Sequence, residues 1–322
     1  MQETDKNIIP KKDLVNYLDH FSIFMYVNDL AYKQTPDGIK HYSIEKHDED
    51  LKNLRKPNYT SDNPNKLDTL GIFRKIMTVL WKHNINYSIV DVGSQYGSFA
   101  MELGTFIKKT GHVNKVYAFD CGIASTLCFD NIKLNLLDDV IIFERKAVTN
   151  ESSPQKVFFD TEHSEDNHIV HRNGEKLASY VIDGITLDEY FRDHDENFLM
   201  KIDTQGAEPL VFEGMKNLMS RNPTIMFEFT PWTFDLIKRN PVDFLKNIPS
   251  GYTMFEFQPG VDTIFRIDRD KIEGFVQSVS ESTAKWTDLL IIHNQSIVYE
   301  EILNEIKKYK NFDGTKTFSL PN

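Results

Sequence analysis

The sequence predicts an α/β protein with a mostly parallel sheet covered by helices on both faces. Three observations predict it. From residue 87 to residue 293 short apolar runs alternate with helical periodicities, the pattern of strands joined by crossover helices. The first run ends in "DVGSQYG", a glycine turn leading into a helix. A second strand–turn–helix signal, "LMKIDTQGAEPLVFEG", carries charged residues at its turn, the place where open α/β sheets bind ligands.

Taken in order, residues 13–34 put Leu14, Tyr17, Leu18, Phe21, Phe24 and Met25 at helical spacing. A polar linker follows. Residues 67–83 form a second expected helix, with Leu70, Phe73, Ile76, Met77 and Leu80 on one face. Residues 1–85 are therefore expected to be a helical appendage, serving as a cap or a homodimer element. "YSIVDV" reads as strand, 98–109 as helix, "KVYAFD" as strand, 123–134 as helix and "VIIFER" as strand. Residues 149–180 look irregular. "FLMKID" is strand and 208–220 helix, with Pro209 suited to its first turn. "TIMFEF" is strand, and 232–247 is a broken helix. "YTMFEF" and "DTIFRI" pair around "QPGV", giving an antiparallel edge, and "DLLIIHN" is the last strand. "VYEEILNEIKKYKNF" reads as an amphipathic helix within a C-terminal segment, 296–322, that follows the core of 86–295.

Composition narrows the function. The 322 residues are 40% hydrophobic, enough for a sizeable core, and carry a net charge of -11. That charge argues against a nucleic-acid binder, which needs a basic surface. Cys121 and Cys128 are read on one helix, seven residues and roughly 10 Å apart. This is too far for a disulfide, so two free thiols and a reducing compartment are expected. No apolar run reaches a membrane span, and "MQETDKNIIPKK" lacks a signal core. A cytoplasmic protein is expected.

The glycine turn limits the ligand. A P-loop needs a lysine after its second glycine, and here Ser98 and Phe99 follow Gly97. A dinucleotide turn needs a middle glycine, and Gln95 stands there. What remains is Asp91, Gly93 and Gly97, which suit a nucleoside ligand without a pyrophosphate. Asp91 at the strand end would accept from an ammonium group, as S-adenosylmethionine offers. Asp120, which ends the next strand, would take the ribose hydroxyls or cap the helix after it. Lys201 and Asp203 share a strand face, and Glu208 opens a helix, where negative charge is favoured. The alternative for these three is an ion pair and a capping carboxylate.

"IVDVGSQYGSFA", "VYAFD", "LMKIDTQGAEPLVFEGM" and "PTIMFEF" together resemble the FkbM family of S-adenosylmethionine-dependent O-methyltransferases. The resemblance is firm over 87–229 and loose to 293. Its specific part is the block from Lys201 to Gly214; Asp120 stands where the family usually has Glu. It implies a Rossmann-like class I methyltransferase fold, a mostly parallel seven-stranded sheet with an antiparallel edge. It implies methyl transfer to a hydroxyl-bearing acceptor, a sugar, glycan or small metabolite. The expected cofactor-binding residues are Asp91, Gly93, Ser94, Tyr96, Gly97, Asp120, Cys121, Ala147 and Asp203. The catalytic candidates are Asp203, Glu228, Lys201 and Glu208, then His163 and His168 in the polar loop "DTEHSEDNHIV", read as a lid or a solvated loop. Asp203 and Glu228 would share a proton or bind a divalent metal. No metal ligand is assigned outright. Trp232 would stack on a sugar ring or sit in the core. Two other functions compete: an NAD-linked oxidoreductase on a related sheet, and a non-catalytic glycan-binding protein on a methyltransferase core.

Overall fold

The structure, a computed structural model, describes residues 30–34, 38–44, 69–159, 167–169, 178–257, 264–282, 284–296, 299–305 and 309–311. Most of the first expected helix lies outside these residues. Its last five do not continue a helix: β1 (Leu30–Gln34) pairs antiparallel with β2 (Lys40–Ile44). Gly38, at φ 91° just before β2, holds left-handed backbone that suits a turn. The second expected helix forms as α1 (Thr69–Lys82), with Leu70, Phe73, Ile76, Met77 and Leu80 buried. Its apolar face joins the same core cluster as Ile89, Leu103 and Leu199.

Strand and helix then alternate as β3 (Tyr87–Val92), α2 (Ser98–Thr110), β4 (Val116–Phe119), α3 (Ser125–Leu134) and β5 (Ile141–Glu144). Cys121 precedes α3 rather than lying on it, and both thiols are free. The stretch expected to be irregular contributes strands instead. These are β7 (Pro154–Phe159), β8 (Asn167–His168) and the start of β9 (Ala178–Ile185), which join β6 (Ala147–Val148) in a small sheet ordered β6-β9-β7-β8. The short α4 (Leu187–Tyr190) leads to β10 (Asn197–Ile202). The next expected helix breaks at Gly214 into α5 (Glu208–Glu213) and α6 (Lys216–Met219), followed by β11 (Thr224–Phe229). A 3-10 turn at Pro231–Ile237 and α7 (Pro241–Asn247) lead to β12 (Tyr252–Phe257) and β13 (Ile264–Ile267). After α8 (Ile272–Glu281) and β14 (Thr287–His293), the C-terminal segment is α9 (Tyr299–Glu305) and then a strand, β15 (Tyr309–Asn311).

The central sheet has nine described strands, ordered β15-β13-β12-β14-β11-β10-β3-β4-β5, two more than the seven expected. From β5 to β11 all neighbours are parallel. The antiparallel strand is not at the edge: β14 lies between β11 and β12, antiparallel to both. Beyond it β13 runs antiparallel to β12, and β15 pairs parallel with β13. One sheet face packs Ile89, Leu199, Met226 and Leu290 against α1, α2, α3 and α9. The other packs Val90, Met200, Phe227 and Ile291 against α4 to α8. Each such side chain contributes about 1.5–3 kcal/mol on burial. This double cover holds the carboxyl ends of β3, β4, β10 and β11 at one edge.

Candidate functional site

The turns after β3 and β10 meet backbone to backbone. Gly93 has φ 87°, and a Cβ there would stand 1.7 Å from the Asp203 carbonyl oxygen. Only glycine permits both the turn and the approach. The Gly93 N–H donates to the Phe119 carbonyl at 2.8 Å, and the Asp203 N–H to the Val92 carbonyl at 2.9 Å. Asp120 ties the next turn in: its oxygens accept the Gln95 N–H at 2.8 Å and the Gly122 N–H at 2.6 Å. It does not cap α3, whose N-cap is Ala124. Gly97, at φ 84°, comes close to α3 rather than to open space; a Cβ there would meet Cys128 Sγ at 2.7 Å.

These turns surround a cavity of about 220 Å³. Gly93 and Gln95 line it from the first turn, Asp120 and Cys121 from the second, and Asp203, Thr204 and Gln205 from the third. Ala147 and Val148 of β6 and His168 of β8 form another wall. The Tyr180 hydroxyl on β9 donates to the Cys121 carbonyl, which fixes the small sheet to the β4 turn. Gln95 (φ 51°) and Gln205 (φ 56°) both hold left-handed backbone, a conformation costly for a non-glycine residue and common at functional turns. The Gln95 side-chain amide nitrogen is buried with no hydrogen-bond partner.

Beside the cavity the register builds a charged cluster on one sheet face. Asp91 of β3 is the register partner of Lys201 of β10. Lys201 Nζ lies 3.0 Å from Asp203 Oδ2 and 3.9 Å from Asp91 Oδ1, with the Phe99 ring centroid 5.6 Å away. Asp203 Oδ1 accepts the Gln205 amide at 3.2 Å. Asp91 is fully buried, and neither of its oxygens has a partner at hydrogen-bond geometry. Burial pushes its carboxyl up to about 6, against the pull of Lys201. The carboxylates beside Lys201 outweigh its own burial and raise its ammonium. Glu228 is pushed well up by burial, then by Asp203 and Glu208. Asp288 completes the cluster opposite Glu228. Because β14 runs antiparallel, its first residues reach the edge where β10 and β11 end. The sequence does not show a strand's direction, so Asp288 could only be found once the pairing was known.

The predicted residues therefore divide. Gly93, Asp120, Cys121, Ala147, His168 and Asp203 line the cavity. Asp91, Ser94, Tyr96 and Gly97 are buried in and behind the first turn. Lys201 and Glu228 stand in the charged cluster. Glu208 is fully buried beneath the third turn, where it accepts the Thr204 N–H at 2.7 Å, the Thr204 hydroxyl at 2.9 Å and the Gly206 N–H at 3.1 Å. Its place is that of a clamp on the loop carrying Asp203. His163 lies outside the described residues. Trp232 is 45% exposed and so is no core aromatic. Among the described residues no group of three or more His, Cys, Asp or Glu is disposed to hold a metal ion. None of the described helices is long and apolar enough to cross a membrane.

Residues 26–250 match the model of the methyltransferase FkbM domain. The chain belongs to the FkbM methyltransferase family. The match runs across the boundary expected at residue 85. Among solved structures the chain is similar to the methyltransferase FkbM from Methylobacillus flagellatus KT, at 12% identity and a TM-score of 0.39, covering 75% of this chain and 60% of that one. It is also similar to an O-methyltransferase family protein from Burkholderia thailandensis (8% identity, TM-score 0.29, 70% and 57% covered). A third is the plantazolicin methyltransferase BpumL, solved with a substrate analogue and SAH (9%, 0.30, 77% and 91%). The chain thus spans only about 60% of the length of the first of these. No curated protein sequence matches it.

Proposed function

We propose that this FkbM-family chain is an S-adenosylmethionine-dependent O-methyltransferase acting on a hydroxyl of a sugar or glycan. The observation that carries it is the cavity at the carboxyl ends of β3, β4 and β10, with the buried, unpartnered amide of Gln95 in its wall. The wall suits the cofactor: Phe119, Ala147 and Val148 are apolar, as a base requires, and Asp120 keeps lone pairs for ribose hydroxyls. Bound there, S-adenosylmethionine supplies a methyl group on a sulfonium, a good leaving group. The chain's task is then alignment and proton removal. Asp203 is at the cavity wall, its two oxygens fixed by Lys201 and Gln205. In this reading it accepts the hydrogen bond of the acceptor hydroxyl and turns the oxygen toward the methyl. Glu208 holds Asp203 in place through the loop. A dinucleotide is disfavoured because Gln95, where a pyrophosphate would need bare glycine, faces the cavity.

The test has two stages. Calorimetry on the whole chain is expected to show S-adenosylmethionine binding at micromolar affinity and no NAD binding; the reverse result overturns the proposal. Methyl-labelled S-adenosylmethionine is then screened against sugar nucleotides and glycan fragments. On an acceptor so found, Asp203→Asn is expected to bind cofactor normally and to lose roughly 10²–10⁴ in turnover, the usual worth of a positioned acid–base group. Near-normal turnover would remove Asp203 from the reaction and favour His168.

A further inference from the structure

Asp288 belongs to no motif, yet the sheet sets it directly against Glu228. In the β11–β14 ladder Glu228 pairs with Asp288 and Met226 with Leu290. Extending the β10–β11 register by one residue past Ile202 and Phe227 puts Asp203 beside Glu228. Asp203, Glu228 and Asp288 therefore form a row across three strands on one face, with Lys201 and Asp91 one step below. Directly opposed antiparallel residues have Cβ atoms about 4.5–5.5 Å apart, and like charges there are destabilising. Phe257, fully buried on β12, flanks Asp288 on the other side and lowers its access to water. Two carboxylates so placed are tolerable when one proton is held between them.

We propose that Glu228 and Asp288 form a proton-sharing carboxyl pair that receives the acceptor's proton, relayed through Asp203, which makes Asp288 a positioning residue for the reaction. This rests on the methyl-transfer reading above. The acceptor's O–H bond breaks, its electron pair stays on oxygen and forms the new O–CH3 bond, and the electrons of the broken C–S bond stay on sulfur. The proton forms an O–H bond on the doubly ionised pair, which becomes singly protonated. The surroundings support a pair poised for this. Burial and Asp203 push the Asp288 carboxyl up to about 7, opposed by Lys201. Glu228 is raised by burial and by Asp203, Glu208 and Asp288, and lowered by Lys201. These groups, with Asp91 beyond Lys201, are the charged groups that face the pair from β3, β10, β11 and the loop into α5. Asp203 is the natural relay, since it alone of the row lines the cavity.

The test is an infrared titration of the carboxyl stretch on the whole chain from pH 4 to 9, for the wild type, Asp288→Asn and Glu228→Gln. Besides steps common to all three proteins, such as that of Asp91 near 6, the wild type is expected to show two coupled steps, the upper near neutrality. Each substitution is expected to leave a single step in place of the two, at least about one pH unit below the wild type's upper step, as loss of a like-charged neighbour requires. An upper step that survives in either variant, or a wild type with no carboxyl besides Asp91 titrating above pH 5, overturns the pair. Glu228→Gln keeps the test open should Asp288→Asn fail to fold. On an acceptor from the screen, Asp288→Asn is expected to shift the acid limb of the rate profile to lower pH, and Asp288→Glu to restore it; an unmoved limb overturns the relay. The titration needs no cofactor. Loss of the methyl-transfer reading shows as absent cofactor binding with the coupled steps intact, and failure of the pair shows as the opposite.

Discussion

At the scale of single residues, several motif positions are explained by the turns they build. Gly93 is required by a carbonyl 1.7 Å from where its Cβ would be, and Glu208 by the loop donors it accepts. Asp91, which the sequence sets to meet a ligand's ammonium group, also stands 3.9 Å from the Lys201 ammonium. Its folded carboxyl sits at about 6 against an ordinary value of 3.8, chiefly because burial opposes the charge. The sign follows directly. A carboxyl raised in the folded state binds more protons there than when unfolded, so its contribution is full below about 3.8 and is lost as pH rises through about 6. Asn resembles the protonated form. Asp91→Asn is therefore expected to match the wild type near pH 4 and to exceed it by roughly 1–3 kcal/mol at pH 8. Urea unfolding at a series of pH values checks this, and a variant equally destabilised at every pH would show that the ionised carboxylate is needed structurally.

At the scale of elements, what the sequence made legible depended on how strongly each segment was patterned. "YSIVDV", "FLMKID" and "TIMFEF" form central strands because unbroken apolar runs suit burial on both faces. β7 and β9 were not recognised: their alternation is mixed with polar residues, as befits a sheet with one face to solvent. β15 has three residues and no periodicity of its own; its pairing with β13 is supplied by tertiary contact. The hairpin of β1 and β2 shows the same point. Residues 30–34, the end of an expected helix, form a strand because β2 pairs with them. Asn135, at the end of α3, anchors this hairpin: its oxygen accepts the Lys40 N–H at 2.7 Å, and its amide donates to the Lys40 carbonyl at 2.5 Å and the Asn131 carbonyl at 2.7 Å. Two of these bonds cross 95 residues of chain. At about 0.5–1.5 kcal/mol each, their loss in Asn135→Ala is expected to raise hydrogen exchange of residues 38–44 about 10-fold or more while β3 and β10 stay protected. Unchanged exchange at 38–44 would place the anchor elsewhere, in Ile39 and the core.

At the scale of the whole molecule, the fold gathers at one sheet edge groups that lie far apart in sequence: the turn at 93–97, Asp120, Ala147, His168, Asp203 and the carboxyl pair at 228 and 288. The parallel half was legible because each strand–turn–helix unit is local. The antiparallel half was not, because the direction and neighbours of β14 are set by sheet order, and Asp288 reaches the edge only through that order. The cavity's walls come from three turns and the small sheet. A ligand filling it therefore joins segments spread over more than a hundred residues and binds only the assembled molecule. Such a ligand stabilises by mass action, about 2.7 kcal/mol at a concentration 100 times its dissociation constant. For a chain of this size that is a rise in melting temperature on the order of 5 °C. S-adenosylhomocysteine at millimolar concentration is expected to produce that rise, and NAD at the same concentration is expected to produce none. Gly93→Val must separate the turn after β3 from that after β10, so it is expected to abolish the rise as well as lower the baseline. Gln95→Ala keeps the backbone turn and removes only the amide in the wall, so it is expected to keep the baseline and reduce the rise. Equal rises with both ligands, or a full rise in Gln95→Ala, would mean that the cavity of the three turns is not where the cofactor binds.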